Sequence, residues 1–260
     1  MRRDSLFWGG ALILLGVLLY LQTQGIINNV FQYFWPIALM LVGIWLILGV
    51  YWKPAPGSGE TFSIPLEAAA QTVSYSFSHG VGQLDIGGGA PTGQALVGSA
   101  ASGMNHNSRL SGDQLEVRVE AGPSFLPFIG PSEGVWRFQL VRDLPVLLSV
   151  DAGASAINID LKDVLAKHLA VKTGASSVNV TMPSRGVCLF DLDGGATSVN
   201  ITVPESTAAR IRVDGVTSMD VDLNRFPRLG SDLYQSPDFE AAMDRAEINI
   251  TSGLGKVSVR

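Results

Sequence analysis

The chain has 260 residues, 47% of them hydrophobic and only 16% charged, with a formal net charge of −5 and a mean hydropathy of +0.27. It is too apolar overall for an ordinary soluble protein, and its acidic balance excludes a general nucleic-acid-binding surface. The single cysteine, Cys188, excludes an intramolecular disulfide framework and fits a reducing compartment.

The apolar excess lies at the N-terminus. The segments Leu6 to Gln22 and Phe31 to Trp52 contain no charged residue. At about 1.5 Å per helical residue they reach roughly 25 and 33 Å, against a hydrocarbon core of about 30 Å. Residues 1–52 are therefore expected to form a two-helix transmembrane hairpin, the economical way to satisfy backbone groups in lipid. Trp8, Tyr20, Tyr33, Trp35, Tyr51 and Trp52 fall near the expected ends, where amphipathic rings favour the headgroup layer. Arg2 and Arg3 precede the first span, Lys53 follows the second, and the connecting "TQGIINNV" is uncharged. The positive-inside rule then places both termini in the cytoplasm. A cleaved signal peptide, or a Tat signal read from Arg2-Arg3, is the competing reading. No small-x-small cleavage site follows Gln22, and a second apolar segment begins almost at once.

"KPAPGSGE", residues 53–60, reads as a linker rich in Pro, Gly and Ser, which starts the second domain at Thr61. From 61 to 260 short alternating segments such as "QTVSYSF", "DQLEVRVEA" and "GVWRFQLV" are separated by Gly, Asn, Asp and Pro, the pattern of an all-β domain. "GPSFLPFIGPSEG", from Gly122, holds three prolines and reads as a loop.

A repeat of 21 residues runs through about 146–224. "GASAINIDL", "GASSVNVTM" and "GATSVNITV" begin at Gly153, Gly174 and Gly195. At that spacing, apolar columns run through Leu148, Leu169, Phe190 and Ile211, and through Val150, Val171, Leu192 and Val213. Two more run through Ile157, Val178 and Val199, and through Ile159, Val180 and Ile201. Period-2 alternation inside a 21-residue period means two short strands per unit, joined by a turn at the glycine. Such a unit cannot bury its apolar face alone, so stacked rungs of a single-stranded β-solenoid are expected. After Val213 one residue is lost, and Met219, Val221 and Leu223 are expected to resume the inward positions. An insertion at 225–246 then closes the stack, with a short helix expected from Ser236-Pro237-Asp238. "HGVGQLDIGGG", from His79, has the same form and is a candidate for the start of the stack.

The N-terminal "GGALILLGVLLYLQTQGIINNVFQYFWPIALMLVGIWLIL", with its Gly-rich first helix and Trp35-Pro36 opening the second, resembles the paired transmembrane region of LiaI/LiaF-type bacterial membrane proteins. The closing "YQSPDFEAAMDRAEINITSGLGKVSVR" is similar to the cell-wall-active-antibiotic-response and toast-rack domains that follow such regions. The resemblance implies a toast-rack-like β domain in a membrane protein tied to envelope stress or signalling. It also implies, as in LiaF, inhibition of a sensor kinase.

Few residues suggest chemistry. Asn158, Asn179, Asn200 and, after the slip, Asp220 form an outward polar column, read as amides bonding along stacked strands before it is read as a recognition or ice-binding ladder. The Asn-x-Thr patterns at Asn179, Asn200 and Asn249 follow automatically from strand alternation. "GGAPTGQ", from Gly88, has Gln94 where a phosphate-binding loop needs Lys. His79, His106 and His168 lack partners at metal-ligand spacing. Asp151, Asp191, Asp193 and Asp214 share an outward face with Lys172 and Arg212, which reads as a solvated surface, and Cys188 reads as a small half-buried filler. No catalytic, cofactor or metal residue is expected.

The leading expectation is a non-enzymatic regulatory or scaffolding protein. It would lie in the bilayer and bind a membrane protein partner, such as a sensor kinase, through its cytoplasmic β domain. An extracytoplasmic carbohydrate-active or adhesive β-helix is the second expectation, and a polymerising tethered scaffold is the third.

Overall fold

The computed structural model describes residues 60–100, 104–121 and 133–260, with Tyr20, residues 22–25 and Met40 besides. The chain divides into two compact units, Met1–Ser58 and Gly59–Arg260. In the first, Tyr20, Gln22, Thr23 and Met40 are helical, and Thr23 Oγ1 donates to the Tyr20 carbonyl at 2.7 Å. Among the described residues no helix is long and apolar enough to cross a membrane. Arg2, Arg3, Lys53 and all but Tyr20, Gln22 and Met40 of the expected spans lie outside them.

The second unit is all β. Its long rungs are β2 (Thr72–Gly88), β7 (Val146–Asp160), β8 (Ala166–Thr181), β9 (Val187–Thr202) and β13 (Arg245–Val259). Shorter strands are β1 (Glu60–Pro65), β3 (Gln94–Ala100), β4 (Met104–Ser111), β5 (Gln114–Ala121) and β6 (Glu133–Leu140). The remaining ones are β10 (Ala208–Asp214), β11 (Ser218–Val221) and β12 (Leu233–Gln235).

Alternation explains why these segments are strands, and the glycine positions explain their shape. Along β7 the buried residues are Val146, Leu148, Val150 and Ala152, then Ser155, Ile157 and Ile159. Gly153 and Ala154 are both exposed, so the phase flips there, and the strand bends until its two halves face one core. The expected turns at Gly153, Gly174 and Gly195 are therefore bends within continuous strands. None has a positive φ. The glycines are required by crowding between rungs. A Cβ on Gly153 would lie 2.7 Å from the Gly80 carbonyl oxygen, one on Gly174 3.1 Å from that of Gly153, and one on Gly195 2.8 Å from that of Gly174.

The rungs stack in parallel in the order β2, β7, β8, β9, β13. The register pairs Leu148 with Leu169 and Leu169 with Phe190, Ile157 with Val178 and Val178 with Val199. These apolar columns are buried and belong to one core. β2 starts the stack of long rungs, as "HGVGQLDIGGG" suggested, with Leu84 beside Ile157 and Phe77 beside Val150.

Past β9 the structure departs from the repeat. β10 continues the 21-residue spacing, yet β13 occupies the place beside β9, setting Ile248 against Phe190, Ile250 against Leu192 and Val257 against Val199. β10 and β11 pair with the far side of β13. The reason lies in strand length. β13 supplies apolar residues to all four columns in one strand, whereas β10 and β11 are separated at Gly215, whose φ is +73°. Gly215 also packs closely enough that a Cβ would lie 2.4 Å from the Ser252 carbonyl oxygen. The broken rung therefore takes the place outside the long rungs. The opposite end has the same logic: β5 and β6 together form a split rung on the outer side of β2.

Two further expectations fail at the closing segment. Leu223 is exposed, whereas Met219 and Val221 resume the inward face as expected, beside Val257 and Val259 and packed on the core, and are half-buried because β11 is the outermost rung there. No helix forms after Ser236; residues 237–241 make hydrogen-bonded turns. The Ser236 hydroxyl, the expected helix cap, accepts instead from the Ala209 amide at 2.9 Å, and Phe239 is buried. β12 pairs antiparallel with β10 and covers its edge. Arg225 fastens the same segment by donating to the carbonyls of Val203 and Pro204 at 2.7 and 2.6 Å.

Candidate polar groove

On the outward face of the second half-sheet, alternation leaves polar residues between the buried columns. Parallel in-register pairing sets Asp85, Asn158, Asn179 and Asn200 side by side on adjacent rungs. Their side chains form one chain of bonds. Asn200 Nδ2 donates to Asn179 Oδ1 at 2.9 Å, Asn179 Nδ2 to Asn158 Oδ1 at 2.8 Å, and Asn158 Nδ2 to Asp85 Oδ1 at 2.8 Å. Gln83 also donates to Asp85, and Arg137 Nε lies 3.6 Å from Asp85 Oδ2.

Three of the four residues of the expected column are thus brought together, and the fourth is replaced. Asp220 is separated from Asn200 by Ser258 of the intervening β13. It lies instead 3.4 Å from Arg260 Nη2. Asp85, which completes the ladder, was missed because it stands 73 residues before Asn158, outside the 21-residue period. The signal was present in the pattern Gln83-Leu84-Asp85-Ile86, which parallels Ala156-Ile157-Asn158-Ile159.

Two residues farther along each rung, Gly87, Asp160, Thr181 and Thr202 form a parallel row. With Arg137 and Gln139 of β6, Ser99 of β3 and Thr61 of β1, these rows line an open groove of about 700 Å³. Its polar groups are chiefly neutral amides and hydroxyls, with Asp160 and the Asp85–Arg137 pair as charges. Such a surface can orient a ligand rich in hydrogen-bonding groups.

The other candidates are structural. On the first half-sheet Asp151, Lys172 and Asp193 lie side by side, an alternating charged row on the surface. Nearby, His168 Nε2 is 3.0 Å from Asp191 Oδ2, Asn249 Nδ2 donates to Asp191 Oδ1 at 2.9 Å, and Arg212 Nη1 donates to Asn249 Oδ1 at 3.2 Å. His106 stacks on Phe62 with ring centroids 4.9 Å apart. Among the described residues no group of three or more His, Cys, Asp or Glu side chains is placed to hold a metal ion. Gly88 to Gln94 bridges β2 and β3 without a helix. Cys188 is buried, and burial pushes its thiol up to about 12, which removes the thiolate a nucleophile needs. Burial also raises the Tyr75 phenol, whose hydroxyl donates to the Ala95 carbonyl.

Among the described residues four side chains, His79, Gln94, Trp136 and Thr197, carry buried polar atoms without a partner, and His79 carries two. It is 2% exposed, neither ring nitrogen has a partner, and it meets Trp136 edge-on at 4.6 Å, whose Nε1 is also unpartnered. Desolvation lowers its pKa to about 4.

Comparison with known proteins agrees with this architecture. Residues 53–202 match the family model described as the N-terminal domain of toast_rack, DUF2154, and residues 6–47 match that of the LiaI-LiaF-like transmembrane region. No curated protein matches. Among solved structures, that of a "putative cell adhesion protein" from Clostridium sporogenes is similar in fold. It is 17% identical, with a TM-score of 0.68, over 78% of this chain and 99% of that one. The chain belongs to the toast-rack family and is a membrane protein with a LiaI-LiaF-like transmembrane region ahead of its β domain.

Proposed function

We propose that the protein is a non-enzymatic, membrane-anchored component of an envelope-stress response, whose β domain binds a membrane protein partner such as a sensor kinase. The observation that carries this reading is the pairing of a LiaI-LiaF-like transmembrane region with a continuous β stack bearing an open groove. A tether raises the effective concentration of the domain toward anything in the same bilayer, so modest affinity at a rigid surface suffices. Arg2, Arg3 and Lys53 favour a cytoplasmic domain with both termini inside.

Crosslinked affinity capture from membranes tests the reading. The intact protein should recover a membrane protein that a variant lacking residues 57–260 does not. Equal recovery by both removes the β domain from the interaction. Labelling of a C-terminal cysteine from outside intact cells would reverse the topology. It would favour an extracytoplasmic adhesive role, a second reading supported by the fold shared with the Clostridium protein.

A further inference from the structure

The amide ladder leaves part of its hydrogen-bonding capacity unused. A primary amide has two N–H donors and two acceptor lone pairs. Asn158 and Asn179 each use one donor and one lone pair along the ladder, and Asn200 uses one donor. A donor and an acceptor remain on each rung, repeated at the strand spacing of about 4.8 Å. Asn179 and Asn200 are exposed, and all three line the groove.

Gly87 identifies the groove as a built space. It stands in the row of Asp160, Thr181 and Thr202, yet it has no positive φ, and a Cβ there would meet only the Asp160 carbonyl oxygen, at 3.8 Å. Neither backbone conformation nor packing demands glycine at this position. Its effect is to leave the floor open beside Asp85.

The floor strands β2, β7, β8 and β9 each have a neighbour on both sides, so the floor itself has no free edge for strand addition by a peptide. Val178 and Val180, which flank Asn179, are buried, so the apolar part of the lining lies away from the amides, at Val97 and Gly98 of β3, where it offers a flat wall for the apolar face of a ring. An array of neutral donors and acceptors in a groove of small-ligand size suits a polyhydroxylated chain instead.

We propose that this groove binds an oligosaccharide of N-acetylated sugars laid along the stacking direction. Its acetamido groups, each with one N–H and one C=O, pair with the unused donors and acceptors of the Asn ladder, and its hydroxyls meet Asp160, Thr181 and Arg137. The assignment does not depend on the protein-partner reading; it goes with the extracytoplasmic topology of the second reading.

The test is calorimetric titration of the full chain in zwitterionic-lipid nanodiscs with tetra-N-acetylchitotetraose. Cellotetraose and a Ser/Thr-rich octapeptide serve as comparison ligands. Saturable binding is expected for the acetylated tetramer, about tenfold weaker for cellotetraose because the ladder's polar groups then lose their partners. Gly87→Thr, which fills the groove, and Asn179→Leu, which removes an amide, should each weaken binding by about tenfold or more. Ser177→Thr, on the same outward face but outside the groove, should leave it unchanged. No saturation up to about 10 mM, a level beyond any specific site of this kind, overturns the proposal. So does equal binding of cellotetraose or the octapeptide, or full binding by Gly87→Thr with an unaltered melting curve. If Gly87→Thr disturbs folding, Asn179→Leu decides, since Asn179 is exposed. Loss of partner capture with intact saccharide binding would sink the protein-partner reading alone.

Discussion

Asn158 donates to Asp85 at 2.8 Å, joining two residues 73 positions apart, and this bond sets the direction of the whole amide ladder. A carboxylate only accepts, so the Asn158 amide must turn its Nδ2 toward β2, which leaves its Oδ1 to accept from Asn179. The same choice then passes to Asn200. Asp85→Ala removes the terminal acceptor and the partner of Arg137, and a loss of about 1–3 kcal/mol is expected. Asp85→Asn should recover part of it. Urea unfolding followed by the β-sheet circular dichroism signal measures both.

Within the ladder, exposure and burial separate neighbouring residues. Asn179→Ala removes exposed, water-compensated bonds and should cost about 1 kcal/mol or less. Val180→Asp places a carboxylate at a position only 2% exposed inside the core and should cost about 4 kcal/mol or more. Comparable melting curves for the two variants would contradict the assigned faces.

Two glycines on β2 and β7 should respond oppositely to the same change. Gly153→Ala drives a Cβ to 2.7 Å from a backbone oxygen that cannot swing away, and about 2 kcal/mol of destabilisation is expected. Gly87→Ala meets nothing closer than 3.8 Å, and the reduced freedom of its unfolded chain should stabilise by about 0.4–1 kcal/mol. Thermal melts of the two variants distinguish these signs.

His79 makes the fold acid-sensitive. Its folded pKa, about 4, lies below the unfolded value of 6.5. Between those limits the unfolded chain binds the proton and the folded one does not. Its contribution to stability is therefore complete above about pH 6.5 and falls as the pH drops toward 4, by about 3 kcal/mol in all. His79→Phe should flatten that slope, seen by comparing urea midpoints of the two proteins between pH 4 and 7.

Truncation distinguishes the spatial order of rungs from the sequence order. Removing residues 245–260 deletes the rung between β9 and β10, not a terminal one. Amides of β10 that face β13 should lose hydrogen-exchange protection together with those facing β13 on β9, whereas Ala209 and Val213, whose amides donate to the Ser236 hydroxyl and the Asp232 carbonyl, should keep theirs. Retained protection of the β13-facing amides would mean that β10 pairs directly with β9.

Local composition and period determined much of this protein. The two charge-free segments, the alternation from 61 onward and the 21-residue columns are properties of consecutive residues, so the membrane region, the all-β class and the inward faces of β7 to β9 could be read directly. The outward placement of Asn158, Asn179 and Asn200 followed from the same alternation. Tertiary structure decided what happens where the period breaks. Whether β10 or β13 sits beside β9 depends on which segment fills four distant columns without interruption, and Gly215 interrupts β10 and β11. That competition moved Asp220 out of the amide column and put Ser258 in its place. It also left the Ser236 hydroxyl facing the Ala209 amide, so no helix starts there. The groove itself needs Asp85, Arg137 and Asn158 on adjoining strands, and only the parallel docking of β2 between β6 and β7 brings them together.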